Sequence, residues 1–164
     1  MGPRGSAEAI AEGGNTDPHV RGQPLCEETV LAVLPVDHPL AERASVTWHD
    51  LARQPFVAFT PSSSVRRLAD LSFERAGIRR TNLIETREVG TVAGMISAGL
   101  GVSAVPRPVL PLMTFGRLVT RPVNGPGTVR KLAVYTPRTP VLPAASAYFL
   151  HRLLHTATGE HEEE

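Results

Sequence analysis

The residues of this 164-residue chain best suited to holding a ligand are the run Thr60, Pro61, Ser62, Ser63 and Ser64, which follows a compact apolar stretch and precedes a helical stripe. Hydroxyls at a helix start, next to backbone N–H groups that lack an intrahelical acceptor, suit a carboxylate or a similar anion. Arg66 and Arg67 add positive charge behind them. By themselves the same residues also make an ordinary N-cap with solvated arginines, and local sequence favours that plainer account.

Other residues that invite chemistry lack the company it needs. Gly94, Gly99 and Gly101 are spaced like a fragment of a phosphate loop, but phosphate-cradling glycines lie after a strand and before a helix, and no Gly-Lys-Ser/Thr follows here. They read as helix termination and close packing. His38, His49 and Asp50 have no Ser or Cys nucleophile context. Asp37 is expected to brace a turn, and His49 and Asp50 to sit on the wet face of a short helix. His19 has no second ligand at metal spacing, and the ending with His161 and three glutamates carries the charge of a solvated tail. Cys26 is the only cysteine, which excludes an intrachain disulfide. With no activated nucleophile, metal-ligand cluster or coherent acid–base pair, the reading is a non-enzymatic protein that needs no cofactor.

The elements that must position residues 60–64 alternate in type. Val30, Leu31, Ala32, Val33 and Leu34 form a β-favouring run closed by Pro35, and a short helix follows around Trp48. Residues 56–59 are a second apolar run. Val65, Leu68, Ala69, Ser72, Phe73 and Ala76 then mark a helical stripe that Gly77 stops. Residues 83–89 read as a strand leading to a helix entered at Gly90 and Thr91, with Val92, Met95, Ile96 and Leu100 on its apolar face. Gly99 and Gly101 are expected to take the positive φ that ends it, ahead of a buried strand closed by Pro106. Strands alternating with helices predict one α/β domain with a mostly parallel sheet and right-handed crossovers. Two later strands flank a turn at residues 124–127, and residues 142–154 predict a closing helix with a broad apolar face. Residues 1–24 are expected to be a flexible tail, and residues 159–164 an acidic one. A formal charge of +1, with no basic stripe and no helix-turn-helix pattern, argues against direct DNA binding. No run approaches the roughly 20 apolar residues of a membrane helix, and the N-terminus lacks a signal-peptide core, so a cytoplasmic protein is expected.

In order and motif, the chain from Leu25 to about Leu154 resembles the effector-binding domain of LysR-type transcriptional regulators. PLCEETVLAVLPVDHPLA is similar to that family's crossing strand and His-Pro-Leu turn, and WHDLARQPFVAF to its short helix and strand. TVAGMISAGLGVSAVP matches its helix-Gly-Leu-Gly-strand-Pro signature, and RKLAVY and LPAASAYFLHRLL arrive where the pattern expects them. The resemblance implies a fold like that of type 2 periplasmic-binding proteins, two-lobed, with a small molecule in the cleft. Residues 25–158 would supply one largely complete lobe, the crossing strands and the closing helix, without the winged helix-turn-helix and most of the other lobe. Carried over by position, residues 60–64 match the lobe's effector loop, Gly90 and Thr91 a helix N-terminus facing the same cleft, and Glu28 a hinge-proximal position on the first crossing strand. The implied effector is a small anionic metabolite, and the implied partner another copy or a full-length regulator. Two alternatives stand beside this reading: a DNA-binding-deficient fragment that modulates full-length regulators, and an enzyme on a similar two-lobed scaffold.

Overall fold

Apolar runs bounded by turn residues set the strands, and a computed structural model describes residues 9–12, 17–80, 83–113, 116–138 and 143–158. The strands are β1 (Ala9–Glu12), β2 (Val20–Pro35), β3 (Val46–Thr47), β4 (Phe56–Phe59), β5 (Leu83–Thr86), β6 (Ser103–Pro106), β7 (Leu118–Asn124) and β8 (Val129–Pro137). The helices are α1 (Trp48–Ala52), α2 (Ser64–Arg75), α3 (Val89–Ser97) and α4 (Ala144–Thr158), with 3-10 turns at Pro39–Glu42 and Arg107–Leu112. The chain divides into two compact units, Glu28–Arg130 and the pair of chain ends Met1–Glu27 with Lys131–Glu164. The boundary falls inside β2 and β8, long strands that run through it.

In the unit Glu28–Arg130, β2 is antiparallel to both β6 and β7, and β7 is parallel to β3. On the other side, β4 joins Val102, just ahead of β6, through a parallel bridge from Phe56, and β5 pairs parallel with β4. Every strand but β2 therefore runs the same way, as a mostly parallel sheet requires. All four residues of β4 are buried, which its unbroken apolar run reflects: strands covered on both faces do not alternate with polar residues. Their side chains divide by period two, Phe56 and Ala58 into one core cluster with Trp48, Leu68 and Phe73, Val57 and Phe59 into another with Val92, Ile96 and Val105. The first cluster is anchored by edge-on rings, Trp48 on Phe73 at 4.9 Å and Phe56 on Phe73 at 5.3 Å. Arg80 lies over Phe56 and Phe73, and its Nη1 and Nη2 donate to the carbonyls of Leu51 and Gln54 at 2.9 and 3.0 Å, so the cation caps the aromatic cluster with both ends of its fork on acceptors.

In the other unit, β1 pairs antiparallel with β8 from Ala9 opposite Tyr135 to Glu12 opposite Leu132. The expected tail over residues 1–24 is thus corrected: residues 9–12 are a strand, and β2 begins at Val20. Backbone ladders hold these segments and need no apolar period, which is why none marks them in the sequence. Residues 159–164 and Leu142 lie outside the described residues. The apolar face expected of α4 is there and largely open, with Tyr148 and Phe149 exposed and Leu150, Leu153 and Leu154 half-buried. Among the described residues no helix is long and apolar enough to cross a membrane.

Two local expectations change. The turn after Pro35 is braced not by Asp37 but by His38, whose Nδ1 accepts the Leu40 N–H at 3.1 Å. Gly99 ends α3 with φ +77, as expected, but Gly101 has no positive φ and is required for a different reason. A Cβ there would stand 2.5 Å from the Pro55 carbonyl oxygen, the acceptor that fastens Val102 beside β4. Gly101→Ala is therefore expected to lower unfolding free energy by roughly 1–3 kcal/mol in urea titration. Gly94→Ala, inside α3 with open space around the added methyl, should instead raise it by roughly 0.5–1 kcal/mol.

Candidate functional site

The site is built by the pairing of β4 with β5. Their parallel register, ending with Phe59 opposite Thr86, brings both strands to their carboxyl ends together, and the Thr60 N–H extends the ladder to the Thr86 carbonyl at 3.1 Å. Each strand then turns into a helix, α2 after residues 60–63 and α3 after Arg87 and Glu88. Two helix N-termini consequently open from the same edge of the sheet, the edge at which open α/β sheets offer N–H groups to ligands.

Residues 60–64 form a tight turn into α2. Ser63 is the N-cap: its Oγ accepts the Val65 N–H at 3.2 Å, and its own N–H donates to the Thr60 carbonyl at 2.9 Å. The hydroxyls of Thr60 and Ser62 lie 3.4 Å apart, Thr60 half-buried and Ser62 exposed, as are Pro61 and Ser64. At α3 the N-cap is Glu88, and no side chain caps the helix. The helical ladder starts with the Val92 N–H on the Glu88 carbonyl at 3.0 Å, which leaves the N–H groups of Val89, Gly90 and Thr91 ahead of it. Gly90 and Thr91 are exposed, and a Cβ at Gly90 would meet nothing within 4 Å. The edge thus carries hydroxyls, N–H groups and the positive ends of two helix dipoles.

Arg66 does not supply the free charge expected of it. Its Nε reaches both carboxylate oxygens of Asp70 at 2.9 and 2.8 Å, and its Nη1 reaches Glu85 at 2.5 Å and the Phe59 carbonyl at 3.0 Å. Burial works to lower its pKa, but the hydrogen bonds it donates to Glu85 and Asp70, with their negative charges, outweigh it and the guanidinium is held above its ordinary value. Arg67 is exposed. Glu28 is likewise engaged, in an ion pair between β2 and β8: Arg130 holds its Oε2 through Nη2 at 2.5 Å and Nε at 2.9 Å, with both side chains largely buried. The structure therefore brings residues 60–64, Gly90 and Thr91 to one edge and places Glu28 in a strand-to-strand tie. Asp50, read from sequence as solvated, closes a capping box with Thr47 and pairs with Arg43 at 2.8 Å. The Thr47 hydroxyl is the main cause that holds its carboxyl below the ordinary aspartate range.

A solvent-open groove of about 470 Å³ lies along α2, lined by Arg66, Asp70, Glu74, Ile78, Arg79 and Leu83, and includes none of residues 60–64, Gly90, Thr91 or Glu28. Among the described residues no group of three or more His, Cys, Asp or Glu side chains is arranged to hold a metal ion. The partners of Arg66 were missed by sequence reasoning, because Glu85 is 19 residues away and the Phe59 acceptor is a backbone carbonyl that residue type does not mark.

Residues 9–158 match the LysR substrate binding domain, well ahead of the Leu25 at which the sequence resemblance begins. A Bacillus subtilis regulator, "Uncharacterized HTH-type transcriptional regulator YybE", is 37% identical over half of this chain and 28% of its own length. The dual regulator GltC of the same organism is 28% identical over 79% of this chain and 44% of its own length. The chain thus spans less than half the length of these curated relatives. Among solved structures, the effector-binding domain of QuiR in complex with shikimate aligns with TM-score 0.76 and 21% identity over 93% of this chain and 72% of that one. The BenM effector-binding domain with benzoate aligns with TM-score 0.77 and 20% identity over 95% of this chain and 72% of that one. At such identity these neighbours speak for the fold, which is the periplasmic-binding-protein-like α/β arrangement of LysR effector-binding domains. With the family matched over nearly the whole chain, this protein belongs to the LysR substrate-binding domain family.

Proposed function

We propose that this chain is the effector-sensing part of a LysR-type transcriptional regulator, that it takes a small carboxylate-bearing metabolite, and that it works by binding without catalysing a reaction. The observation that carries this reading is the pair of helix N-termini on adjacent parallel strands, flanked by the hydroxyls of Thr60, Ser62, Ser63 and Ser64. Neutral N–H and O–H donors at such an edge favour an anion without an added cation. Shikimate and benzoate, the ligands named for two of the structural neighbours, are both carboxylates. Gly90 leaves room at α3, and Thr91 adds a hydroxyl. The polar residues that suggested catalysis hold turns and caps instead, which supports a binding role: His38 receives Leu40 N–H, and Asp50 serves the α1 cap. Such a regulator would be cytoplasmic, with DNA contacts supplied outside the segment that this chain covers. Ligand binding would shift the regulator between arrangements by differential affinity.

The open face of α4 favours a second reading, in which the chain associates with another copy or with a full-length regulator through Tyr148 and Phe149. Light scattering over a concentration series discriminates them: mass independent of concentration and unchanged by an added regulator counts against association.

Glu28 enters as the tie between β2 and β8 and acts on the ligand only through the strands. Removing one partner of a largely buried ion pair costs roughly 3–5 kcal/mol, so Glu28→Ala is expected to move the urea midpoint strongly downward. For the site itself, a thermal-shift screen of small carboxylates that includes benzoate and shikimate should return at least one stabilising ligand. Loss of hydrogen bonds to a charged group should then make the double variant Thr60→Val, Ser62→Ala bind it about 10- to 100-fold more weakly by calorimetry, with only a small change in Tm. Unchanged affinity would remove residues 60–64 from the site.

A further inference from the structure

Arg66 sits where an anion-binding cation would be expected, yet its geometry assigns it other work. It belongs to the first turn of α2, and its side chain is 11% exposed. One guanidinium reaches three elements. Asp70 lies one turn along α2, Glu85 stands on β5, and the Phe59 carbonyl is the last of β4. The bond to Phe59 spans the loop at residues 60–63 from its far end, because Phe59 precedes the loop and Arg66 follows it. Two further bonds complete the frame, Thr60 N–H to Thr86 and Ser63 N–H to Thr60. The loop is thereby fixed to both parallel strands and to its own helix.

The charge accounting leads the same way. Asp70 and Glu85 face the guanidinium from two sides, so its positive charge is more than matched before any ligand arrives. A planar fork with five N–H donors serves three acceptors held in different directions, whereas an ammonium on a flexible stem carries the same charge without that geometry. The geometry points to Arg66 as the positioning residue of the site: it holds the hydroxyls and N–H groups of residues 60–64 against the ends of β4 and β5 and contributes no charge of its own to the ligand. This rests on the proposed site for its consequence in binding, but not for the positioning itself.

Arg66→Lys separates geometry from charge, and amide hydrogen exchange followed by NMR on the full chain reads the positioning without any ligand. The N–H groups of Thr60, Ser63 and Val65 are expected to exchange about tenfold faster, while those of Val92 and Ala98 in α3 change by less than about twofold. Equal acceleration in α2 and α3 would mean a general loss of stability and would overturn the proposal, as would unchanged exchange at Thr60 and Ser63. The second readout uses benzoate, or whichever carboxylate of the panel stabilises the wild-type chain. Its dissociation constant should rise about tenfold in Arg66→Lys although the charge is kept. Retained affinity in Arg66→Lys with lost affinity in Arg66→Met would assign a charge role and overturn the proposal. Where Arg66→Lys fails to fold, Glu85→Gln removes one arm and keeps the arginine; faster exchange confined to residues 60–65 is expected there as well, and no local change overturns the proposal. A loop that loosens in these variants of a chain that binds no carboxylate leaves the positioning intact and counts against the proposed function alone.

Discussion

The parallel pairing of β4 with β5 is the constraint on which the rest of this molecule's chemistry depends. Strand ends set helix starts, and the register Phe56–Leu83 through Phe59–Thr86 makes two strand ends coincide. A slip of one residue would do more than misplace a hydrogen bond: it would invert Phe56 and Ala58 with Val57 and Phe59 between the two core clusters. Burial on both faces makes that slip costly, since the Phe56 ring and the Val57 side chain fit different neighbours. The core is therefore what fixes the positions of the helix N-termini, and the polar edge inherits its precision from apolar packing.

The buried charges follow a common rule. Arg80 donates to two carbonyls over an aromatic pair, Arg66 is held by two carboxylates and a carbonyl, and Arg130 is matched to Glu28. Each cation ties its own segment to at least one other, which offsets part of its desolvation and turns it into a connector. With Arg66 matched by two carboxylates, the donors held in place at the β4–β5 edge are backbone N–H groups and hydroxyls. Such donors are oriented before a ligand arrives and need no reorganisation to meet it.

How far the sequence discloses this depends on the range of the interaction. The run at β4, a cap from the serine run, the stop at Gly99 and the apolar face of α4 all depend on residues within one or two turns of each other, and all were legible. β1 and the early part of β2 are held by backbone ladders to β8, more than a hundred residues away, and their composition alone resembles a tail. Gly101 shows the same limit from the other side. Its type suggested a turn, but it is required by the approach of Pro55, a contact that arises only once β4 and β6 lie side by side. Arg66 was read as adding positive charge to the loop, and Glu28 only as a hinge-proximal position, because their partners Glu85 and Arg130 lie 19 and 102 residues away.

The same distinction explains why the family is easier to read than the ligand. Family membership is carried by periodic apolar positions, glycine stops and the order of elements, which are repeated along the chain and tolerate a mistake at any one place. Ligand identity rests on a few groups at one edge, and their value depends on neighbours that neutralise or orient them. In this chain the two arginines beside the serine loop suggest a strongly cationic site, while the carboxylates of Asp70 and Glu85 take up the charge of the inner one. In the proposed site, a wall of neutral donors would discriminate by the placement of its hydrogen bonds, because the inner arginine is already matched by those two carboxylates. Under the proposed reading, the selectivity of such an edge would follow from the arginine clamp's geometry, which holds the loop that carries the donors.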